Sequence, residues 1–265
     1  MSVIVVMPAY NAARTLEQTY RDIPRGIVSK VILVDDVSRD QTVEIARRLG
    51  LETVIHVYNR GYGGNQKTCY LEALKAGADV VVMLHPDNQY DSTCIPQLIA
   101  PILEKRADMV LGSRFLGGNP RAGGMPGWKI LTNRLLTWVE NLVLGTHLSE
   151  CHTGFRAYSR RFLETIPFVL NSDRFLFDTQ VIFQAVAFGF SIAEVGVPTR
   201  YFAEASSVGL RAGIPYGLGT LWTALQYLAH KWGLVQIDLF SKRLREVVSP
   251  HHHPLLFREE RGPES

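Results

Sequence analysis

Cysteine is scarce in this sequence. Its 265 residues include Cys69, Cys94 and Cys151, which are widely spaced and form no C-x-x-C pair. Disulfide frameworks and structural zinc sites need paired or clustered cysteines, so we expect neither. A reducing compartment such as the cytoplasm suits a chain of this kind.

Long uninterrupted apolar runs are also missing. A membrane-spanning helix needs about 20 consecutive apolar residues, and the nearest approach, residues 214–235, includes a histidine and a lysine. Two interpretations of this segment stay open. It forms either a helix packed on the domain or a helix in a membrane interface, with Trp222, Tyr227 and Trp232 at the headgroup level.

A secretory signal is not recognisable in the first residues. The segment MSVIVVMPAYN has no basic region ahead of its apolar run and enters a strand pattern directly. We therefore expect a cytoplasmic protein, located at the cytoplasmic face of a membrane if the 214–235 helix is interfacial.

Neither the charge pattern nor the glycine spacing indicates a nucleic-acid or dinucleotide binder. The 28 Lys and Arg barely outnumber the 25 Asp and Glu, and they form no long run, whereas nucleic-acid-binding domains concentrate basic residues. No G-x-G-x-x-G follows the first apolar run, and GYGGNQK lacks the G-K-[ST] ending of a P-loop. The segment PAYNAARTLEQ also lacks the basic, Gly-rich loop that a nucleotidyltransferase is expected to have.

Short β-branched runs alternate with helical patterns over the first half of the chain. The runs that we assign to strands are Val3–Met7, Lys30–Val34, Thr53–Tyr58, Asp79–Leu84 and Asp108–Gly112, with one more at Ser191–Val197. Runs that are apolar on both faces are typical of buried parallel strands. The pattern predicts an α/β fold with a mostly parallel open sheet flanked by crossover helices.

A polar segment follows each of the first four strands: Pro8–Asn11, Asp35–Asp40, Asn59–Lys67 and His85–Asp91. In open parallel sheets, ligands bind outside the carboxyl ends of the strands. We therefore expect the four segments to meet in one crevice. A carboxylate at Asp36, a Gly-rich turn and a loop centred on Asp87 fit a nucleotide whose diphosphate is bridged by Mg²⁺ or Mn²⁺.

Six motifs occur along the chain in this order: PAYN, VDDVSRDQT, GYGGNQK, HPDNQY, GSRFLGG and HTGFRAYSR. As an ordered set they make residues 3–201 resemble the family-two glycosyltransferases of GT-A fold. The resemblance is strongest to the branch that contains dolichol-phosphate mannose synthase and bacterial polyprenyl-phosphate sugar transferases. It implies a nucleotide-sugar donor and a divalent metal, Mg²⁺ or Mn²⁺, as cofactor.

The resemblance also implies which residues bind the donor. Pro8, Ala9, Tyr10 and Asn11 line the nucleoside pocket, Asp36 recognises the base or ribose, and Lys67, His85 and Asp87 complete the donor-binding set. The metal-binding loop of the family falls on His85, Asp87 and Gln89. Ala12 stands where the family often has Glu, so the base of the nucleotide is not specified.

His85 occupies the place of the first aspartate in that metal-binding loop. Neutral imidazole binds Mn²⁺ or Zn²⁺ well but is a poor ligand for Mg²⁺. Three interpretations stay open: His85 donates a hydrogen bond to the diphosphate, it ligates the metal directly, or it is structural and metal binding is impaired. Asp87 and Gln89 still fill most of an octahedral shell once phosphate oxygens and water are added.

The nature of the acceptor determines which further residues the reaction needs. By resemblance, Arg114 holds an acceptor phosphate, Lys129 and Asn133 assist it, and Arg156 lies at the end of the sugar pocket. A phosphate is already ionised near neutral pH, because its second pKa is about 6, whereas a hydroxyl needs a general base. Asp178 falls where relatives that use hydroxyl acceptors carry their catalytic aspartate.

We therefore expect an inverting, metal-dependent glycosyltransferase with Asp87, Arg114 and Asp178 as catalytic residues and polyprenyl phosphate as the preferred acceptor. A hydroxyl on a saccharide, lipid or small metabolite is the alternative acceptor, and a nucleotide-sugar-binding protein with impaired turnover is the alternative without catalysis. In the expected organisation, residues 1–210 form the GT-A catalytic domain, 211–248 an apolar helical appendage and 249–265 a flexible tail.

Overall fold

A seven-stranded sheet forms the centre of the molecule. The computed structural model describes residues 1–116, 118, 120–200 and 210–257, with the backbone alone at 210–212. The strands are β1 (Val3–Ala9), β2 (Lys30–Asp35), β3 (Glu52–Ile55), β4 (Val80–Met83), β5 (Met109–Ser113), β6 (Arg156–Ser159) and β7 (Ile192–Gly196). Their order across the sheet is β3-β2-β1-β4-β6-β5-β7.

Strand β6 runs antiparallel to its neighbours β4 and β5, and the other pairings in the sheet are parallel. The expected α/β architecture with a mostly parallel open sheet is confirmed. The sequence pattern does not predict β6, because its four residues, RAYS, contain no β-branched side chain. Arg156 pairs with Met83 in this register, so the turn that precedes β6 lies beside the loop that follows β4.

Helices cover both faces of the sheet. They are α1 (Leu16–Arg21), α2 (Thr42–Arg48), α3 (Gly61–Lys75), α4 (Ile95–Leu103), α5 (Gly127–Leu144), α6 (Arg160–Thr165), α7 (Leu176–Ala187), α8 (Leu210–Lys231), α9 (Asp238–Ser241), α10 (Leu244–Val247) and α11 (His253–Leu256). Helix α5 begins after Pro126 and ends at Gly145, which has a φ of 70°. A glycine in this left-handed conformation is a common helix stop.

The apolar core has two layers, one on each face of the sheet. Along β1, Ile4 and Val6 pack on one face with α3, α6 and α7, while Val5 and Met7 pack on the other with α1 and α4. This alternation is the two-residue period of a strand that is buried on both faces. The two layers hold β1 rigidly and therefore fix the position of the loops at its carboxyl end.

The C-terminal segment packs into the same core as the rest of the chain. Tyr227 of α8 and Phe240 of α9 are buried there, so Tyr227 does not lie at a membrane surface as one interpretation of the sequence supposed. In the segment expected to be a flexible tail, Leu256 of α11 is buried, and its carbonyl accepts a hydrogen bond of 2.7 Å from Arg160 Nη2. Within the described residues, no helix is both long and apolar enough to cross a membrane.

Candidate active site

A cavity of about 470 Å³ lies beside the carboxyl end of β4, between the loop that follows this strand and helices α5 and α8. Its polar lining includes His85, Asp87, Gln89, Arg114, Lys129 and Asp178. Three of the six lie in the loop of residues 85–89, which we call the HPDNQ loop. Arg114, Lys129 and Asp178 come from three other parts of the chain, so only folding brings them together with this loop. The cavity thus collects the metal-loop, acceptor and catalytic residues that the sequence predicts, apart from Arg156.

The HPDNQ loop turns sharply after β4. Asn88 adopts a left-handed conformation with a φ of 54°, which asparagine tolerates better than most residues. The Gln89 backbone N–H donates to Asp87 Oδ1 at 3.1 Å, and the Gln89 carbonyl accepts from Arg200 N at 2.9 Å. Asp87 Oδ2 accepts no hydrogen bond from the part of the chain that the structure describes, so it remains available to a ligand in the cavity.

The ring of His85 is fixed on both faces. It stacks on Tyr62 with a centroid distance of 5.3 Å, and a Cβ added to Gly154 would lie 2.9 Å from the imidazole. Burial lowers the pKa of His85 more than the negative charges of Asp87 and Asp178 raise it. The side chain is therefore neutral at physiological pH.

One chain of hydrogen bonds sets the tautomer of His85. The Tyr62 hydroxyl donates its proton to Asp178 Oδ2 at 2.7 Å. Its oxygen lies 3.2 Å from His85 Nε2 and must accept there, since that proton is already committed. Nδ1 of the neutral ring consequently carries the lone pair, and an imidazole lone pair is the group that binds Mn²⁺.

Asp178 lies in the first turn of α7 and is held by several groups. Besides Tyr62, Gln66 Nε2 donates to its Oδ1 at 3.1 Å. Arg156 Nη1 donates to the Asp178 carbonyl at 2.9 Å and lies 3.8 Å from Oδ1. Both carboxylate oxygens therefore already have protein partners, so Asp178 is well placed to orient Tyr62 and His85.

Arg156 does not line the cavity, and its expected role at the end of the sugar pocket stays a prediction. Its side chain is fully buried and is absent from the lining. The guanidinium also donates to the Thr153 carbonyl at 2.7 Å and the Cys151 carbonyl at 3.0 Å. Arg156 thus stabilises the turn before β6 and the start of α7 from inside the protein.

Arg114 lies at the cavity floor and is paired with Glu150. Its backbone N–H and Nε each donate to the Glu150 carboxylate at 2.8 Å, and Nη2 contacts the same carboxylate. Asn133 Nδ2 donates to Glu150 Oε1 at 2.8 Å. Burial raises the pKa of Glu150, but the Arg114 charge and these hydrogen bonds outweigh it, so the net pKa is lowered.

Lys129 differs from Arg114 in its surroundings. It lies on the first turns of α5 and lines the cavity, and no acidic side chain of the described residues pairs with it. Burial, followed by the nearby charge of Arg114, lowers its pKa. An anion in the cavity would therefore find in Lys129 a positive charge that the protein does not already neutralise.

The PAYN segment at the end of β1 is bound to the turn that follows β2. Asn11, with a φ of 53°, receives a hydrogen bond from Arg39 N at its Oδ1 and donates its own N–H to Ser38 Oγ, both at 2.8 Å. Pro8 and Ala9 are buried, and Tyr10 is exposed beside them. These four residues form one edge of the crevice, outside the cavity itself.

The two aspartates at the end of β2 differ in what they bind. Asp36 is enclosed: it accepts from Arg60 N at 2.7 Å and Gly61 N at 2.9 Å and contacts His56 Nδ1 at 2.8 Å. Asp35 Oδ1 is buried and accepts no hydrogen bond among the described residues. A buried carboxylate oxygen without a hydrogen-bond partner is costly, and in this respect Asp35 differs from Asp36.

Lys67 also lies away from the cavity, and its expected role in donor binding stays a prediction. Its Nζ donates to Asp173 Oδ1 at 2.7 Å and to the Asn171 carbonyl. The side chain therefore joins α3 to the segment that leads into α7. It supports the position of Asp178 at a distance.

Sequence reasoning missed a polar contact between α8 and the cavity. His152 Nδ1 lies 2.6 Å from the hydroxyl of Tyr216, which is 3.0 Å from Thr179 Oγ1. His152 Nε2 faces the buried Glu140 of α5 at 3.2 Å. Tyr216 lies in an apolar segment and had no sequence signal of its own, whereas His152 adjoins the TGFR motif.

The cavity suits a divalent ion whose shell a ligand completes. The described residues contain no group of three His, Cys, Asp or Glu side chains that could hold a metal by themselves. Asp87 Oδ2 and His85 Nδ1 are open, and the buried Gln89 Nε2 has no partner in this part of the chain, so a flipped amide would present its oxygen. Such a partial donor set fits Mn²⁺ or Mg²⁺ bridged to a diphosphate.

Comparison with known proteins agrees with this arrangement. The sequence profile described as "Glycosyl transferase family 2" matches residues 4–166. The chain is 28% identical over 212 residues to a dolichyl-phosphate hexose transferase of Haloferax volcanii, covering 79% of this chain and 87% of that protein. It is 26% identical over 217 residues to a UDP-N-acetylglucosamine–dolichyl-phosphate N-acetylglucosaminyltransferase of Methanococcus voltae, covering 75% and 86%.

Among solved structures, glucosyl-3-phosphoglycerate synthase from Mycobacterium tuberculosis superposes with a TM-score of 0.67 at 21% identity, covering 85% of this chain and 79% of that chain. Other structures of the synthase contain UDP with Mn²⁺ or Mg²⁺. This likeness confirms the GT-A fold. Taken with the profile match over most of the sheet, it shows that the chain is a glycosyltransferase and belongs to glycosyl transferase family 2.

Proposed function

We propose that this protein transfers a sugar, with inversion, from a nucleotide-sugar to a polyprenyl phosphate. One observation carries the proposal: the cavity combines the HPDNQ loop and two cations with apolar walls from α5 and α8. A phosphate headgroup fits Lys129 and Arg114, and an isoprenoid chain fits the walls. A small polar acceptor would make no favourable contact with those apolar walls.

The relatives support the same class of acceptor. Two similar proteins carry dolichyl phosphate in their names, and a third, 26% identical over 203 residues, is a polyprenol monophosphomannose synthase of Mycolicibacterium smegmatis. The donor would lie between the PAYN turn, Asp35 and the HPDNQ loop. Its sugar would then point toward Lys129 and Arg114 in the cavity.

Asp87 would hold the divalent metal through Oδ2, with His85 Nδ1 and the Gln89 amide as further ligands. When bound, such an ion stabilises the charge that develops on the leaving diphosphate. Asp178 and Tyr62 hold His85 in the tautomer that this requires. Gly154 keeps the space that the ring occupies.

A phosphate acceptor needs positive charge to hold it more than it needs a base. It is ionised near neutral pH, so Lys129 would position its oxygens for in-line attack on the anomeric carbon. The acceptor P–O⁻ forms the new C–O bond while the bond from the anomeric carbon to the nucleoside diphosphate breaks. Asp178 would act as a base in the alternative reaction with a hydroxyl, but both of its oxygens already accept hydrogen bonds or face a cation.

A transfer assay tests this proposal. It combines a panel of nucleotide-sugars and Mn²⁺ with either a short-chain polyprenyl phosphate or the matching polyprenol as acceptor. We expect glycosylation of the phosphate and none of the alcohol. Lys129→Ala should lower kcat/KM on the order of 10²-fold, as loss of a group that positions and neutralises the acceptor does. Lys30→Ala, which changes an exposed ion pair with Glu52, is the matched control. Faster transfer to the polyprenol or to a saccharide hydroxyl would contradict the proposal.

A further inference from the structure

Helix α5 presents a row of large apolar side chains to solvent. Trp128, Leu131, Leu135, Trp138 and Leu142 are 41% to 71% exposed. Their spacing of three and four residues places them on a single face of the helix. The opposite face carries Asn133, Thr137 and Glu140, which are buried, so the helix is turned with its apolar side outward.

Helix α8, which packs against α5, has a similar exposed face. Ile214, Leu218, Leu221, Trp222 and Leu225 are 41% to 64% exposed. Its inward face carries Tyr216, Thr220, Thr223, Ala224 and Tyr227. Trp232, Leu234 and Val235 extend the exposed row just beyond the end of the helix. We call the exposed rows of α5 and α8, with this extension, the apolar face.

All four tryptophans of the chain lie on the apolar face. Tryptophan is normally well buried in globular proteins, whereas at membrane surfaces it concentrates at the level of the lipid headgroups. Contiguous apolar surface on this scale marks an interaction site. The concentration of tryptophan on this face therefore indicates contact with a boundary that is apolar on one side and aqueous on the other.

The exposed charged side chains that the structure describes on α5 and α8 are all basic. The sequences of α5 and α8 contain a single acidic residue, Glu140, and its side chain is fully buried. Lys129, Arg134 and Lys231 lie on the same helices and reach the surface at least in part. Basic residues beside an inserted apolar face are attracted to anionic lipid headgroups.

The apolar face is continuous with the wall of the cavity. Five of its residues also line the cavity: Trp128, Leu135, Ile214, Leu218 and Leu221. A second copy of this chain seated here would cover that opening, whereas a bilayer would extend it. The cavity therefore opens toward whatever the apolar face contacts.

We propose that α5 and α8 dock this protein on the interface of an anionic bilayer, with the cavity open to the lipid phase. The docking itself stands apart from the proposed function. The further step, in which a lipid phosphate passes directly from the bilayer to Lys129 and Arg114, rests on the proposed function.

Sedimentation of the full chain with vesicles tests the docking. Vesicles of phosphatidylcholine with about one third phosphatidylglycerol should bind it, and pure phosphatidylcholine should bind it less, because the basic residues contribute to the affinity. Tryptophan fluorescence should be quenched by brominated acyl chains in the bound protein. Absence of binding to both kinds of vesicle would overturn the proposal.

Leu131→Ser and Leu142→Ser test the face without touching the cavity lining, because neither residue contributes to it. Each should weaken the partition into anionic vesicles by about tenfold, the effect of losing one inserted leucine. Val57→Ser is the matched control, since Val57 is an exposed apolar residue in the loop after β3. Equal weakening by Val57→Ser would overturn the assignment of the face. A dimer in light scattering that Leu131→Ser dissociates, together with no vesicle binding, would assign the face to a second copy instead.

Assays with two acceptors separate this inference from the proposed function. Leu131→Ser should retain wild-type transfer to a water-soluble short-chain polyprenyl phosphate and lose about tenfold with a long-chain acceptor embedded in vesicles. Equal activity of variant and wild type on the embedded acceptor would overturn the delivery role. Vesicle binding without transfer to any lipid phosphate would sustain the docking and refute the proposed function alone.

Discussion

At the scale of single residues, His85 is the most informative position in the cavity. The resemblance implies a carboxylate at this place, yet Tyr62 and Asp178 hold His85 in a defined tautomer with Nδ1 open. This arrangement favours direct ligation among the interpretations that the sequence left open.

Replacement His85→Asp should shift the metal preference. A hard carboxylate oxygen suits Mg²⁺ and imidazole nitrogen suits Mn²⁺, so the ratio of kcat/KM with Mg²⁺ to that with Mn²⁺ should rise. The variant should also lose about 1–3 kcal/mol of stability, since the stacked ring and its hydrogen bond to Tyr62 are removed. Steady-state kinetics with each metal and urea unfolding measure the two effects. An unchanged ratio would show that His85 does not contact the ion.

The lowered pKa of His85 gives a pH signature. Because the folded protein has a pKa below the ordinary 6.5, the unfolded chain binds the proton more strongly, and acid favours unfolding. The contribution of His85 to stability is complete above pH 6.5 and is lost as the pH falls toward the folded pKa. Urea unfolding of wild type and His85→Asn between pH 8 and 5 should show a smaller loss of stability for the variant. Parallel curves would contradict the assignment.

Arg114 and Lys129 are both cations of the cavity, but they will respond differently to substitution. Arg114→Ala leaves the buried Glu150 carboxylate without its countercharge, which typically costs about 3–5 kcal/mol. Lys129→Ala breaks no ion pair among the described residues and should change stability by less than about 0.5 kcal/mol. Thermal unfolding of both variants checks this contrast. Comparable stability would mean that Glu150 finds another partner.

At the scale of elements, the C-terminal helices contribute side chains to the main core. Helix α8 contributes Ala224 and Tyr227 to the main core, and α11 contributes Leu256. The apolar composition of residues 214–235 predicts a helix, but it does not decide which face is inward. That choice depends on the partners α5 and α7, which are distant in sequence.

Helix α11 should carry measurable stability. Leu256→Ala removes a side chain that is 2% exposed and should cost about 2–5 kcal/mol. Leu255→Ala, at the neighbouring exposed position, is the control and should change stability by less than about 0.5 kcal/mol. Urea unfolding gives both values. Equal effects of the two substitutions would show that α11 is not docked in solution.

At the scale of the whole molecule, donor and metal should stabilise the fold together. A ligand that binds only the folded state adds stability that grows with the logarithm of its concentration relative to its Kd, about 2.7 kcal/mol at a hundred times the Kd. Thermal unfolding with a panel of nucleoside diphosphates should therefore show a larger rise in Tm with Mn²⁺ present than without it. Asp87→Asn should remove the metal-dependent part. No metal-enhanced stabilisation by any diphosphate would contradict the proposed metal site.

The sequence by itself determined the fold class and the family. Strand patterns and the loops that follow them are local, so PAYN, VDD and HPDNQY could be placed at strand ends before any contact was known. Only the tertiary structure decided that Glu150 pairs with Arg114, that a buried oxygen of Asp35 has no partner among the described residues, and that Lys67 and Arg156 face the interior. These outcomes depend on contacts between residues far apart in the chain, which residue spacing does not specify. The same reason applies to the apolar face, because helix packing alone determines which side of α5 and α8 meets solvent.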